Sequence, residues 1–189
     1  MFEYLMPLVY FRTHENTLLG RALRGAVRIQ QAYAREHKVP WGISEAGHSA
    51  RDNAMLYQYR AFGVPALAMQ RDHAHSLVIA PYASMLALGV DARQATTNLR
   101  WLASLGTLAR HGFFEALDYS AAGNRSAEMV RSHMAHHQGM GLMAIDNALM
   151  GGTMQERLHL EPQVQATEFL LEERMSALVE LVNNEQVAA

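Results

Sequence analysis

The sequence predicts an all-α fold, and three observations carry this prediction. Of the 189 residues, 50% are apolar and 18% are charged, which is typical of a globular domain. Apolar residues recur at helical spacing in several segments, and no segment sustains the alternation of a half-buried strand. Helices joined by irregular loops in this way indicate stacked α-hairpins, as in bundles, solenoids or toroids.

The first helix is predicted over residues 16–37, where apolar residues follow a helical period. Asn16 is its expected N-cap, and Pro40 follows its end. A second, shorter helix is expected to open at Pro81, because proline is favoured in the first turn, and to close at Gly89.

A third helix is predicted between Asp91, as N-cap, and Gly106, as C-terminal stop. A long helix follows over residues 126–150, interrupted by Gly139 and Gly141. Glycine inside a helix costs stability, so these two positions indicate close packing or a nearby ligand. Two more helices are expected over residues 153–160 and 162–182, and residues 176–189 are taken as the tail of the last helix and a frayed end.

Composition excludes several classes of function. The formal net charge is −2 with no basic run, so a nucleic-acid partner is not expected. The absence of cysteine removes disulfide and thiol chemistry. No apolar run reaches the roughly 18 residues of a membrane span, so no direct membrane insertion is expected. The first residues carry Glu3 and lack a basic region, which is unlike a signal peptide and resembles the interior of a longer chain.

Two loops place a carboxylate beside aromatic residues and glycines. Glu45 lies in "WGISEAGHSARDN" and Glu115 lies in "GFFEALDYS". Aromatic faces stack on pyranose rings while carboxylates bind hydroxyls, and glycosyl transfer uses a pair of carboxylates. An apolar wall could raise the pKa of one of them and make it an acid. The alternative is that a loop glutamate such as Glu45 caps a helix or pairs with an arginine.

The stretch "SHMAHHQGMG" sets three histidines within five residues, and three interpretations stay open. His133 and His137 share a helix face at i and i+4, which can bind zinc, but Met134 stands where an HExxH motif has glutamate. The histidines could instead be core residues satisfied by their neighbours. The third interpretation is a polar cleft that binds hydroxyl groups, and the nearby glycines favour it.

Six blocks occur in one order: "FEYLMP", "PWGISE", "YQYRAFGVPALAM", "LVIAPYASMLAL", "GFFEALDY" and "VRSHMAHHQGMGLMAI". Across roughly Met1–Arg174 the chain resembles the C-terminal half of the glycoamylase-like central domain of cyclic β-1,2-glucan synthases, which is similar to endo-β-1,2-glucanases. The resemblance implies that residues 1–175 are about half of an (α/α)6 toroid. It also implies a parent that is a very large membrane protein.

The resemblance implies retaining transglycosylation that closes linear β-1,2-glucan into a ring. The alternatives are an endo-β-1,2-glucan hydrolase and a non-catalytic glucan-binding or structural module. Implied partners are β-1,2-glucan, the remaining half of the toroid and the other domains of the synthase, with no cofactor and no metal. The implied location is the cytoplasmic side of the bacterial inner membrane within that parent. The fragment itself is expected to be soluble, marginally stable or oligomeric, and inactive alone, because its inner helices would expose apolar faces.

The resemblance also assigns site residues by motif. Glu45 and Glu115 are the predicted catalytic pair, one as general acid/base and the other as nucleophile, with Glu3 as the reserve candidate. The predicted substrate-binding residues are Glu3, Trp41, Tyr57, Tyr59, Phe114, Asp118, Tyr119, His136, His137 and Gln138.

Overall fold

The computed structural model describes residues 1–14, 16–67, 76–120 and 126–173. About 53% of this part of the chain is helical, so the predicted all-α fold is confirmed in part. The seven α-helices of the described residues are α1 (Phe2–Leu5), α2 (Leu18–His37), α3 (Pro81–Leu86), α4 (Ala92–Ser104), α5 (Ala135–Met150), α6 (Thr153–His159) and α7 (Pro162–Thr167). Short 3-10 turns cover Met6–Val9, Ala87–Gly89 and Glu168–Glu172.

The all-α prediction missed seven short strands. They are β1 (Ala46–Arg51), β2 (Tyr57–Arg60), β3 (Val78–Ile79), β4 (Leu108–Ala109), β5 (Gly112–Phe113), β6 (Ala116–Asp118) and β7 (Glu128–Val130). They form antiparallel sheets in the orders β1-β2, β3-β6-β7 and β4-β5. Most of these strands have two to four residues, which is too short for an alternating pattern to show in sequence.

Helix α2 begins one residue later than expected. Thr17, not Asn16, is the N-cap, and its side-chain oxygen accepts a hydrogen bond from the Gly20 amide at 3.1 Å. The helix ends where Lys38 adopts a left-handed conformation with φ of 57°. Asn16 itself has φ of 66°, so its backbone turns the chain into the cap.

Helix α4 has the predicted boundaries. Asp91 accepts a hydrogen bond from the Gln94 amide at 3.0 Å, which satisfies one free donor of the first turn. At the other end Gly106 has φ of 84°, a conformation that glycine adopts without strain.

Helix α3 is the centre of the core, and all six of its residues are buried. Pro81 opens it and Gly89 closes the 3-10 turn that follows, as predicted. Helices α4 and α5 pack against it. A Cβ atom at Gly141 would lie 2.5 Å from Sδ of Met85, so α5 approaches α3 closely at this glycine. Gly139 has no such neighbour among the described residues, so the packing they show explains only one of the two helix glycines.

The long helix predicted over residues 126–150 is wrong at its start. Residues 128–130 form β7, which pairs with β6, and α5 begins at Ala135. Backbone pairing with β6 therefore outweighs local helix propensity here. Residues 153–159 are helical as predicted, whereas the predicted helix from residue 162 continues past Thr167 as a 3-10 turn. Its part beyond residue 173 lies outside the described residues.

Among the described helices, none combines the length and the apolar character that crossing a membrane requires.

Candidate functional site

The "WGISE" segment is held by a buried side chain of α2. The Gln30 amide group donates to the Ile43 carbonyl at 2.7 Å, and its oxygen accepts from the Ile43 amide at 3.0 Å. Gln30 is 1% exposed, so both hydrogen bonds are shielded from water. One side chain thus supplies the backbone partner that a neighbouring strand would otherwise supply. This clamp fixes the main chain two residues before Glu45.

The other side of the same segment lies against the start of α3. The Ala80 amide donates to the Gly42 carbonyl at 3.0 Å, and Ile43 forms an isolated antiparallel bridge with Ile79. Gly42 has φ of 126°, and a Cβ atom there would lie 3.0 Å from the Ala80 carbonyl oxygen. Glycine is required at this position on both counts.

Glu45 lies at the end of this fixed segment and is partly exposed. The Tyr59 hydroxyl from β2 donates to its Oε1 at 2.8 Å. The same hydroxyl lies 3.4 Å from Nε2 of His136 and 3.2 Å from Nε2 of His137, both in the first turn of α5. Tyr59 has one proton to donate, and its shortest contact of the three is with Glu45. The hydroxyl therefore links the carboxylate to the two imidazoles.

Glu115 lies behind His137. Nδ1 of His137 is 2.9 Å from Oε1 of Glu115, and both side chains are 1% exposed. A carboxylate only accepts, so the imidazole carries the proton on Nδ1 and presents Nε2 towards Tyr59. Oε1 also accepts from the Gly47 amide at 3.1 Å, while the buried Oε2 has no partner among the described residues. Close polar contacts thus connect Glu45, the Tyr59 hydroxyl, His137 and Glu115 in that order.

Tyr82 of α3 supports His137 and Glu45 from the core and was not among the predicted site residues. Its ring stacks on that of His137 with centroids 3.7 Å apart and an angle of 12°. Its hydroxyl donates to the Glu45 carbonyl at 3.0 Å and lies 2.8 Å from the Ser44 hydroxyl. A tyrosine inside the apolar run "VIAPYASML" was the available signal, because a buried hydroxyl needs a polar partner.

The environment shifts the pKa values of three of these groups. Burial, reinforced by the hydrogen bond to Glu45, raises the pKa of the Tyr59 hydroxyl. Burial likewise raises the pKa of Tyr82. Burial, reinforced by the neighbouring His137, lowers the pKa of His136 below 6.5. Both phenols therefore stay protonated donors at neutral pH, and His136 favours its neutral form there.

Glu45 also lines a cleft of about 440 Å³ on the side of α1 and α2. Glu3, the reserve candidate, lines the same cleft, so two carboxylates predicted from sequence reach one space. We call this space the Glu45 cleft; its lining includes Phe2, Glu3, Tyr4, Gln30, Ser44, Glu45, Phe62 and Val64. This mixture of aromatic rings and carboxylates is the composition expected of a sugar site.

Asp118 and Tyr119 lie away from this cleft. Asp118 is 4% exposed, and Oδ2 accepts from the amide and hydroxyl of Ser49 at 2.9 and 2.8 Å. Its Oδ1 accepts from the Ser120 amide at 2.8 Å. Asp118 therefore ties β6 to β1, while the partly buried Tyr119 packs against the hydrophobic core.

Three other predicted residues hold surface segments together. Tyr57 accepts from Arg51 at 2.8 Å, and the Arg51 guanidinium lies over its ring. Phe114 stacks on His133 with centroids 5.3 Å apart. The Gln138 amide donates to the Phe113 carbonyl at 3.1 Å, and Nδ1 of His133 lies 3.1 Å from the same oxygen. The contacts of His133 and Gln138 with Phe113 fasten the β4-β5 hairpin to the start of α5, whereas the Tyr57–Arg51 contact joins β2 to β1.

Trp41 faces a different cavity from the Glu45 cleft. It is 6% exposed and lines a space of about 390 Å³ between α2 and α4. Its backbone amide donates to Asn98 at 3.2 Å, and its carbonyl accepts from the Asn98 side chain at 2.7 Å.

Glu45, His136 and His137 could together hold a metal ion, because their ligand atoms lie within 4.8 Å of one another. This trio differs from the pair of histidines considered from sequence, since His133 bonds Phe113 instead. The Tyr59 hydroxyl lies 2.8 to 3.4 Å from an atom of each member, so it fills the space between them. Glu45, His136 and His137 therefore surround a hydroxyl group in this structure.

The glycoamylase family model, which describes glucoamylase-like sequences, matches residues 1–162. The chain belongs to this family. It is also 39% identical over 178 residues to "Cyclic beta-(1,2)-glucan synthase NdvB" of Rhizobium meliloti (strain 1021). That match covers 92% of this chain and 6% of the relative, so the chain spans a small part of the length of this synthase.

Proposed function

We propose that this chain is part of a carbohydrate-active domain that acts on β-1,2-glucan by retaining transglycosylation and closes a linear chain into a ring. The observation that carries the proposal is the Glu45 carboxylate, held at the edge of a cleft in a chain that is 39% identical to a cyclic β-(1,2)-glucan synthase. Tyr59 fixes one oxygen of this carboxylate by a 2.8 Å hydrogen bond. Among the described residues no hydrogen bond involves the second oxygen of Glu45, and in this proposal that oxygen faces the sugar.

In this proposal Glu45 is the carboxylate that touches the reacting sugar. A glycosidic bond breaks when one group protonates the leaving oxygen and a carboxylate attacks or stabilises the anomeric carbon. The covalent glucosyl intermediate is then released by a hydroxyl of the chain's own end, which gives a ring, or by water, which gives hydrolysis. Excluding water from the cleft would favour the ring.

Glu115 is assigned a positioning role, because its side chain is 1% exposed and lies beneath His137. It holds the imidazole in one tautomer and orients Nε2 towards the Tyr59 hydroxyl. The original pairing of Glu45 with Glu115 as two catalytic carboxylates remains a prediction. Glu3, which lines the Glu45 cleft, is the alternative second carboxylate.

The proposal includes the larger assembly. Residues 1–175 would form about half of an (α/α)6 toroid, and the segment that precedes them in the parent would supply the other helices. The parent would be a synthase whose remaining domains lie at the cytoplasmic side of the inner membrane. The extent of the relative beyond the match supports a much longer parent.

The test is to incubate the complete toroid domain, extended upstream of this chain, with linear β-1,2-glucan. Mass spectrometry would detect cyclic glucan, which is lighter than a linear chain of equal length by one water. Cyclic product that disappears with Glu45→Gln supports the proposal. Shorter linear products would show an endo-β-1,2-glucanase instead, and glucan binding without conversion would show a non-catalytic module.

A further inference from the structure

The cavity between α2 and α4 has a composition that the proposed catalytic cleft does not use. It is lined by Gln31, Ala34, Arg35, Lys38, Val39, Trp41, Gln94, Thr97, Asn98 and Trp101. We call it the tryptophan cavity, because both tryptophans of the chain line it. It shares no lining residue with the Glu45 cleft, and Gln30 and Gln31 place the two spaces on different faces of α2.

The two indoles differ in how much of their surface is exposed. Trp41 is 6% exposed, and its main chain is bound at both ends by Asn98, which is itself held by a 2.8 Å hydrogen bond to Ser84. Trp101 of α4 is 43% exposed, although tryptophan is a large apolar side chain. The cavity therefore has one fixed aromatic wall and one accessible aromatic surface. Indole faces of this kind can stack on the apolar face of a planar or ring-shaped ligand.

The rim of the cavity is rich in hydrogen-bond donors. The side chains of Arg35 and Lys38 line the cavity, are exposed and supply several N–H donors. Aromatic walls with several donors match the ring and hydroxyl oxygens of a sugar.

We propose that the tryptophan cavity is a second saccharide site, distinct from the Glu45 cleft, that binds a segment of a neutral glucan chain. The choice of a glucan as ligand rests on the proposed function. The volume of about 390 Å³ falls within the range of roughly 300–1,000 Å³ that small-molecule sites occupy. Such a site would anchor one part of a long glucan while another part enters the Glu45 cleft.

The experiment compares Trp101→Ala with Leu105→Ala in the complete toroid domain. Leu105 is 41% exposed and lies one turn further along, just after α4, but does not line the cavity. Both variants also carry Glu45→Gln, which under the proposed function stops turnover. Binding of linear β-1,2-glucan is then measured by calorimetry. We expect Trp101→Ala to weaken glucan binding about fivefold and Leu105→Ala to leave it unchanged. Because Trp101 is 43% exposed, we expect its removal to leave the fold intact.

Equal glucan affinity in the two variants would overturn the second site. Displacement of glucan by millimolar inorganic sulfate would also overturn it, since the cavity would then be an anion site. Activity is measured separately, on the domain with Glu45 intact. Absence of glucan conversion would contradict the proposed function. Unchanged glucan affinity of Trp101→Ala would contradict the second site. A domain that binds no glucan at all contradicts both proposals.

Discussion

The imidazole of His137 lies flat on the ring of Tyr82, with centroids 3.7 Å apart and planes 12° apart. Tyr82 belongs to the most buried helix of the core, and its hydroxyl also binds the Glu45 carbonyl. The Tyr82 side chain therefore fixes both the position of the His137 imidazole and the position of the main chain that carries the Glu45 carboxylate. The geometry of the proposed site is a direct result of core packing.

Tyr59→Phe tests the central hydroxyl. The variant removes the 2.8 Å hydrogen bond to Glu45 and the contacts with both imidazoles. A hydrogen bond to a charged group contributes about 1.5–3 kcal/mol, so kcat/KM on linear β-1,2-glucan should fall roughly 10- to 150-fold. Tyr10→Phe is the matched control, because the hydrogen-bond contact of its exposed hydroxyl within the described part of the chain is with the sulfur of Met143 at 3.7 Å. Equal activity of the two variants would exclude a role for the Tyr59 hydroxyl.

Azide rescue distinguishes the carboxylates. The small anion can replace a missing catalytic carboxylate that faces the substrate, and it forms a glucosyl azide. We expect Glu45→Ala to be inactive and to regain turnover with azide. Glu115→Ala should not be rescued, because the gap it leaves lies beneath His137 and away from the sugar.

Glucosyl azide from Glu115→Ala would contradict the positioning role and restore the pair predicted from sequence. The anomeric configuration of the glucosyl azide then shows whether the missing carboxylate is the nucleophile or the acid/base. A retaining nucleophile variant gives the α-azide from a β-glucan, and an acid/base variant gives the β-azide. Glu3→Ala in the same assay decides whether the second carboxylate comes from the Glu45 cleft.

Gln30→Leu tests the clamp on the "WGISE" segment. The substitution conserves volume but leaves the amide and carbonyl of Ile43 buried without their partner. We expect the free energy of unfolding to fall by about 2–4 kcal/mol, since two buried backbone groups lose a hydrogen bond. Urea denaturation of the complete domain measures the change, with Arg28→Leu at an exposed position of the same helix as control. A loss no larger than that of the control would contradict the clamp.

The fold is predictable from sequence where local signals decide it. The N-cap Asp91, the stop at Gly106 and the helix opened by Pro81 follow from side chains next to the boundary itself. The start of α5 is not predictable in this way, because residues 128–130 pair with β6, a strand ten residues earlier in the chain. A strand of three residues has too few positions for its pattern to compete with a helical one.

The candidate site, like the fold, could be predicted from sequence only in part. Glu45, Tyr59, His136 and His137 were found from their motifs, and they do lie within hydrogen-bond reach of one hydroxyl. Gln30 was not found, because a glutamine on a helix gives no sign that it will bind a backbone thirteen residues away. Residue type indicates chemistry, whereas the partner of a buried amide depends on tertiary packing.

Acid unfolding should report on Asp118. Burial acts to raise the pKa of this carboxyl, but the hydrogen bonds from Ser49 and Ser120 outweigh it and hold the pKa below 3.8. A group with a depressed folded pKa contributes stability that is present above its unfolded pKa and is lost as the pH falls through the folded pKa. In the complete domain, the stability of Asp118→Asn should therefore fall less steeply than that of the native protein below pH 3.8. Parallel pH profiles would contradict this.

The outer face of α5 should drive self-association of the 189-residue chain. Leu142, Leu149 and Met150 are 69%, 77% and 69% exposed. Apolar side chains exposed along one helix face mark a surface that another protein segment covers. We expect Leu142→Lys with Leu149→Lys to lower the average mass in analytical ultracentrifugation. The double change Ala92→Lys with Thr96→Lys adds the same charge to an exposed part of α4 and should leave the mass unchanged.

The close approach at Gly141 has a consequence for genetics. Gly141 lies one helical turn after His137, and a methyl group there would meet the sulfur of Met85 at 2.5 Å. Met85 is a flexible side chain in the core, so the Gly141→Ala variant would fold by displacing it. The displacement would lower the stability of the variant, so the folded fraction would fall first at high temperature. Under the proposed function, a screen for heat-sensitive loss of cyclic glucan should therefore recover Gly141→Ala, although this position does not line the Glu45 cleft.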